Sequence, residues 1–320
     1  MKNIGVLTSG GDSPGMNAAI RAIVHEAEIR GLDVFGFKRG YSGLIENDYI
    51  RLKTADVGGI IQRGGTVLLT ARSEQFKTTE GQKIALKTIE SLELDGLIVI
   101  GGDGSLHGAK TLADLGVRVM GIPATIDNDI YGTDMAIGAD TALNNIMQVI
   151  DKIKDTASSH KRTFIIEVMG RDSGYLAMVS SVVTGAEACI VPEVVPDYAD
   201  IINILKEGYT QGKTNAIVIV AEGASTAFQV SKKLRDRGGI ESKITTLGHL
   251  QRGGSPTCLD RLLGTRLGNT AVEKLVEGES GKMVGMINNR VTLTDFETVF
   301  SKRYIFQERL VELSKVLGNV

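Results

Sequence analysis

Short apolar runs alternate with longer amphipathic stretches along nearly the whole chain. The runs Ile4–Thr8, Val34–Phe37, Leu97–Ile100, Val117–Ile122, Phe164–Val168, Ala216–Ala221, Thr245–His249 and Val284–Ile287 read as strands. Between them, Asn17–Ile29, Gln82–Leu92, Ser105–Leu115, Asp140–Thr156 and Leu259–Glu277 carry apolar residues at helical spacing. Such alternation implies crossover connections and a mostly parallel sheet with both faces covered. The fold class expected is therefore α/β: two doubly wound lobes with mostly parallel sheets and a cleft between them. No linker or low-complexity segment marks a lobe boundary.

Two strand ends carry the chemistry. Gly101-Gly102-Asp103-Gly104-Ser105 follows Leu97–Ile100, and Thr125-Ile126-Asp127-Asn128-Asp129 follows Val117–Ile122. Open α/β sheets bind ligands at that edge. Glycines there let phosphate oxygens approach backbone N–H groups, while an Asp repels phosphate unless a cation intervenes. Mg²⁺ is the usual cation, held by one or two carboxylates and the phosphates themselves. Asp127 can then accept a proton from an attacking hydroxyl, and the two passages together describe a phosphoryl-transfer site.

Other glycine-rich passages are less specific. Gly10-Gly11-Asp12-Ser13-Pro14-Gly15 closes the first strand and opens a helix, and reads equally as a tight turn capped by Asp12 or Ser13. A dinucleotide fingerprint at Gly102–Gly108 is opposed by Asp103, which sits where a pyrophosphate would approach, and by the lack of a ribose-binding carboxylate after Ile122-Pro123. Gly208–Thr214 looks like a P-loop one residue short, but it follows a helix and precedes a strand, so a helix terminus at Gly212 is the better reading. Gln62–Thr66 echoes Gln251–Ser255, as two related lobes would, although strand–turn–helix chemistry alone gives such echoes.

Composition narrows the partners. The net charge of −2 gives no sign of a nucleic-acid surface or a polybasic membrane contact. Basic groups beside strands, at Ser158–Arg162, Met169-Gly170-Arg171 and Gly248–Arg252, favour a dianionic substrate. Cys189 and Cys258 are isolated and read as free thiols, while His25 and His107 fall within helical patterns. Nothing approaches the roughly 18 apolar residues of a membrane span, and no signal peptide precedes the first strand, so a cytoplasmic protein is expected.

The passages GGDSPGMN (10–17), GGDGS (101–105), PATIDNDI (123–130), SSHKR (158–162), EVMGRDSG (167–174) and GHLQRGGSP (248–256) resemble the bacterial ATP-dependent 6-phosphofructokinases along essentially the whole chain. GGDG alone is shared with NAD kinases and lipid kinases; TIDND combined with the MGR and QRGG passages is specific. The resemblance implies transfer of the ATP γ-phosphoryl to the 1-hydroxyl of fructose 6-phosphate, giving fructose 1,6-bisphosphate and ADP in glycolysis. It implies Asp127 as the base, Thr125 positioning the hydroxyl, Asp103 with Asp129 holding Mg²⁺, and Arg72 and Arg171 stabilising the transferring phosphoryl. Gly11, Arg72, Ser73, Gly102, Asp103, Gly104 and Ser105 would contact ATP. The sugar phosphate would meet Thr125, Ile126, Asp127, Met169, Gly170, Arg171, Glu222, His249, Leu250, Gln251 and Arg252, with Arg162 and Lys243 supplied by a neighbouring subunit.

That sharing implies a homotetramer of discontinuous lobes, 1–138 with 251–301 for ATP and 139–250 with 302–320 for the sugar phosphate. The diphosphate-dependent relatives typically carry Asp at the position of Gly104 and Lys at that of Ala124, so this sequence argues for ATP. A non-catalytic nucleotide-sensing subunit would need neither Asp127 nor the two arginines. Lys243 stands where the family usually has arginine, and Ala124 where ATP users usually have glycine. The family's effector pocket, for ADP or phosphoenolpyruvate, maps onto Arg21, His25, Lys154, Gly185, Glu187, Gln211 and Lys213. Here His25 and Thr54 replace arginines, Gly59 an Asp and Gln211 a lysine, so weak effector responses are expected.

Overall fold

The computed structural model describes residues 1–158, 162–302, 310 and 312–313. Strands are β1 (Asn3–Ser9), β2 (Asp33–Phe37), β3 (Tyr49–Leu52), β4 (Gly96–Gly101), β5 (Val119–Pro123), β6 (Arg162–Val168), β7 (Ala188–Ile190), β8 (Asn215–Ala221), β9 (Ser242–Thr246), β10 (Lys282–Ile287) and β11 (Arg290–Asp295). Helices are α1 (Met16–Ile29), α2 (Tyr41–Glu46), α3 (Thr79–Ser91), α4 (Asp103–Asp114), α5 (Ala139–Ser158), α6 (Tyr175–Thr184), α7 (Tyr198–Thr210), α8 (Ala227–Gly238), α9 (Cys258–Val276) and α10 (Phe296–Ser301). The fold is α/β with mostly parallel sheets. The chain divides into two compact units, Met1–Thr141 with a segment returning at Arg252, and Ala142–Gln251. Of residues 302–320, nearly all lie outside the described residues.

The first unit holds a seven-stranded sheet in the order β11-β10-β5-β4-β1-β2-β3. Its five inner strands are parallel and both edges antiparallel. Every residue of β4 is buried. Because side chains alternate across a sheet, Ile98 and Ile100 join one core with α1 and α9, while Leu97 and Val99 join another with α3 and α4. That is why the inner strands are continuous apolar runs. The second unit holds a parallel sheet in the order β7-β8-β6-β9. Ile165, Val218 and Val220 pack there on α7 and α8.

The strand expected at Thr245–His249 is displaced. Pairing with β6 runs over Ser242–Thr246, and His249 lies in a 3₁₀ turn, Gly248–Arg252. The Gly208–Thr214 passage is indeed a helix end, with α7 stopping at Thr210 and Gly212 left-handed at φ 94°. Neither Asp12 nor Ser13 is the cap of α1: the residue before the helix is Gly15, with no side-chain cap, and Ser13 accepts from the Met16 N–H only through its carbonyl, at 3.2 Å. The two QRGG echoes meet within the first unit, where a Cβ on Gly64 would stand 2.3 Å from the Gly254 carbonyl.

Candidate active site

In the first unit, strand order and register gather three turns at one edge. Ser9 pairs with Gly101 and Gly101 with Pro123, so β1, β4 and β5 end level. The connections leave β1 and β4 in opposite directions across the sheet, which makes their carboxyl ends the switch point where ligands bind. Gly11, Gly102–Ser105 and Thr125–Asp129 follow directly. Gly102 precedes α4, whose first turn presents Asp103, exposed, and Gly104, with nothing within 4 Å of where its Cβ would stand. A helix N-terminus opening through glycine with such room suits an anion. Asp103 lies 3.4 Å from His107 Nδ1, and the His107 ring stacks on Phe300 at 3.7 Å.

Asp127 and Thr125 are buried, and Asp129 is half-buried. The Thr125 hydroxyl accepts from the Asp127 N–H at 3.2 Å. Asn128, between the two acids, takes φ 47°, a left-handed conformation that Asn tolerates better than most residues. Its amide accepts from the Ala136 N–H at 2.7 Å and donates to the Asp134 carbonyl at 3.2 Å. The loop bearing the acids is thereby closed on itself.

The segment leading to Arg72 and Ser73 is tied to this edge by a threonine ladder. Thr8 hydrogen-bonds Thr66 at 3.0 Å and donates to the Leu69 carbonyl, and Thr70 donates to the Gly10 carbonyl at 2.9 Å. Arg72 itself is exposed. Arg252 Nη1 donates to the Asp12 carbonyl at 2.9 Å, and a Cβ on Gly11 would collide with this guanidinium. Tyr41 emerged only from the structure. Its ring stacks on Phe76 at 4.1 Å, and its hydroxyl donates to the Ser105 carbonyl at 2.6 Å. Burial lifts the phenol well above its usual range, so it remains a donor under the first turn of α4. No local pattern announces so distant a contact.

In the second unit, β6, β8 and β9 are parallel neighbours, so Met169–Arg171, Glu222 and His249–Gln251 share one edge. Glu222 Oε1 accepts from the Arg171 N–H at 3.1 Å, and Arg171 is left-handed at φ 50°. His249 and Leu250 are exposed, whereas Gln251 is buried. Arg162 and Lys243 are not brought to this group. Arg162 begins β6 and Lys243 pairs with Phe164, which puts both near the opposite end of a seven-residue strand, about 20 Å long. The passage Ser158–Arg162 contributes only Arg162 as a described side chain.

The residues matched to an effector pocket fall in both units. In the second, Lys154 donates to the Thr184 carbonyl beside Gly185, and Lys213 lies 3.5 Å from Glu187. Gln211 caps α7 next to them. In the first, Arg21 and His25 are one turn apart on α1. The Thr54 N–H donates to Glu28 at 3.1 Å, and bonding to Thr54 holds that carboxyl below its usual range.

Comparison with known proteins decides the family. The phosphofructokinase family model matches residues 3–275. The chain belongs to the phosphofructokinase family. It is 51% identical over 318 residues to the ATP-dependent 6-phosphofructokinase of Natranaerobius thermophilus, covering 99% of this chain and 100% of that one. The Thermotoga petrophila protein of the same description is 50% identical over 319 residues, again covering 99% and 100%. Among solved phosphofructokinase structures, that of Pichia pastoris in the T-state superposes with a TM-score of 0.90 at 33% identity, over 99% of this chain and 37% of that one. The Saccharomyces cerevisiae enzyme gives 0.86 at 36% identity, over 99% and 46%. This phosphofructokinase-family chain thus spans less than half of either yeast chain. A pyrophosphate-dependent phosphofructokinase from Marinobacter aquaeolei shares the fold, with a TM-score of 0.84 at 19% identity.

Proposed function

We propose that this chain transfers the γ-phosphoryl of ATP to the 1-hydroxyl of fructose 6-phosphate, giving fructose 1,6-bisphosphate and ADP. Full-length identity near 50% to ATP-dependent 6-phosphofructokinases supports the reaction. The observation that carries the residue roles is the level ending of β1, β4 and β5, which sets a glycine-led helix N-terminus beside buried Asp127. The first unit serves as the nucleotide lobe and the second as the sugar-phosphate lobe. Gly11, Ser73 and Gly102–Ser105 cradle the nucleotide phosphates, and Arg72 and Arg171 answer charge on the moving phosphoryl. Met169, Gly170, Glu222, His249, Leu250 and Arg252 form the sugar-phosphate contacts, with Ile126 lining the same loop as Asp127.

The Asp127 carboxylate takes the proton of the 1-hydroxyl as that oxygen bonds to the γ-phosphorus and the bond to the β–γ bridging oxygen breaks. Thr125 fixes the backbone that aims Asp127. Among the described residues no three His, Cys, Asp or Glu side chains form a metal cluster. One exposed carboxylate at a phosphate-binding helix end does suit Mg²⁺, which keeps waters and substrate phosphates as its other ligands. Asp103, with Asp129, would hold it, and it would supply charge neutralisation on the phosphates.

Arg162 and Lys243, remote from the Met169 group within one chain, fit a site completed by a neighbouring subunit of a homotetramer in the cytoplasm. Arg21, His25, Lys154, Gly185, Glu187, Gln211 and Lys213 match the family's subunit-interface effector pocket, weakened here by His25 and Gln211. The test is Asp127→Ser. Fructose 6-phosphate binding should persist while turnover falls by about 10²–10⁴-fold or more. Near-normal turnover in this variant would mean that another group is the base.

A further inference from the structure

Gln251 belongs to the passage assigned to the sugar phosphate, yet the residue is only 1% exposed. Both ends of its amide are taken up by backbone. The Met169 N–H donates to Oε1 at 3.1 Å, and Nε2 donates to the Gly248 carbonyl at 2.9 Å. Since Met169 offers only a donor there and Gly248 only an acceptor, the two partners fix which way the amide points. The Gln251 carbonyl in turn accepts from Asn145 Nδ2 of α5 at 3.2 Å.

The turn that this amide fastens is an unusual one. Gly170 has φ 141° and Arg171 φ 50°, and a Cβ on Gly170 would stand 2.4 Å from the Ser173 carbonyl. A backbone in such sparsely populated conformations persists only where its surroundings hold it. Glu222 holds the Arg171 N–H on one side and Gln251 the Met169 N–H on the other. Gly248, at the far end of the amide, is also left-handed, at φ 50°.

We propose that Gln251 is a positioning residue: its buried amide joins the Met169–Arg171 turn to the Gly248–Gln251 turn, so that the two arms of the sugar-phosphate grip move as one piece, and it does not touch the sugar. The proposal rests on the assignment of these turns to fructose 6-phosphate. It differs from a direct contact in one respect, which is that its effect exists before any ligand arrives.

Gln251→Met has similar length and no amide. Two readings are taken on the whole protein: hydrogen exchange of the 168–172 backbone without substrate, and the Michaelis constants for both substrates. Loss of a buried backbone bond should speed exchange over 168–172 by roughly tenfold and raise the constant for fructose 6-phosphate by a similar factor. The constant for MgATP should stay within about twofold, because Gly11, Ser73 and Gly102–Ser105, the groups proposed to cradle the bound nucleotide, belong to the first unit, and Arg171 answers the phosphoryl only as it moves, which lowers turnover instead. Should Gln251→Met fail to fold, Gln251→Asn, whose amide falls one methylene short of both partners, carries the same readings.

Unchanged exchange with a raised constant would mean that Gln251 touches the sugar, and would overturn the proposal. Unchanged exchange with an unchanged constant would overturn it as well. Faster exchange with an unchanged constant would instead contradict the assignment of these turns to the sugar phosphate. A parallel rise in both constants, with a lower melting temperature, would reduce Gln251 to general support of the fold and also overturn the proposal.

Discussion

Gly104 is the residue whose substitution separates folding from donor choice. Nothing lies within 4 Å of where a Cβ on Gly104 would stand, and the residue lies in the first turn of α4, so the backbone leaves room for an Asp, which suits the helix N-terminus. Gly104→Asp should therefore fold normally. Against a nucleotide phosphate, the added carboxylate costs on the order of 4 kcal/mol at about 4 Å and an effective dielectric near 20. ATP use should collapse while the melting temperature holds, and undiminished ATP affinity would refute the donor argument. At this scale the sequence was most readable where glycine and acid stand together after an apolar run. Asn128 and Tyr41 were not. Asn128 could have been suspected as a left-handed position between two acids proposed for the site, but its partners Asp134 and Ala136 carry no sequence signal. Tyr41 acts across 64 residues of chain, beyond any local pattern.

At the scale of elements, the starts of α5 and α9 are tied to each other by two carboxylates, Asp260 and Asp140. Asp260, fully buried on α9, accepts from the Gly138 and Thr141 N–H groups at 2.7 and 2.8 Å and from the Thr141 hydroxyl at 2.5 Å. Thr257, which caps α9, donates to Asp140 at 2.6 Å. Asp260→Asn would turn a donor toward at least one of these N–H groups. The cost should be about 1–3 kcal/mol per buried group left unpaired, read from denaturant midpoints. Burial pushes the Asp260 carboxyl above its ordinary range, against the pull of its hydrogen bonds. The native state thus holds that proton more tightly than the unfolded chain, so this contribution to stability falls as pH rises through the raised pKa. The variant should lose that slope; an unchanged slope would assign it to other groups. Inner strands were legible because both faces are buried. The strands that sequence missed, β3, β7 and β11, are all sheet edges, as is the displaced β9. Partly exposed edges such as β11 and β9 do not need the continuous apolar run by which strands were sought.

On the scale of the whole molecule, the pattern of charges around the effector residues bears on regulation. His25, Thr54 and Gln211 stand where the resemblance expects basic groups, and Glu28 is bonded to Thr54. Charge-assisted bonds are worth roughly 1.5–3 kcal/mol each, so two or three missing ones weaken an anionic effector by a hundredfold or more. A ligand that barely binds shifts no equilibrium at ordinary concentrations. Titrating phosphoenolpyruvate at sub-saturating fructose 6-phosphate should therefore give little inhibition, and strong inhibition at micromolar levels would show an intact pocket. The α/β class was readable from strand–helix alternation, while placing Arg162 and Lys243 away from the Met169 group required the register of β6 and β9. We propose that Asp103, Gly104 and Asp127 make this chain an ATP-using sugar-phosphate kinase. A coupled assay with fructose 6-phosphate as acceptor and ATP, GTP or diphosphate as donor tests it most directly. Fructose 1,6-bisphosphate should form readily from ATP and not measurably from diphosphate; faster product formation from diphosphate, or none from ATP, would contradict it.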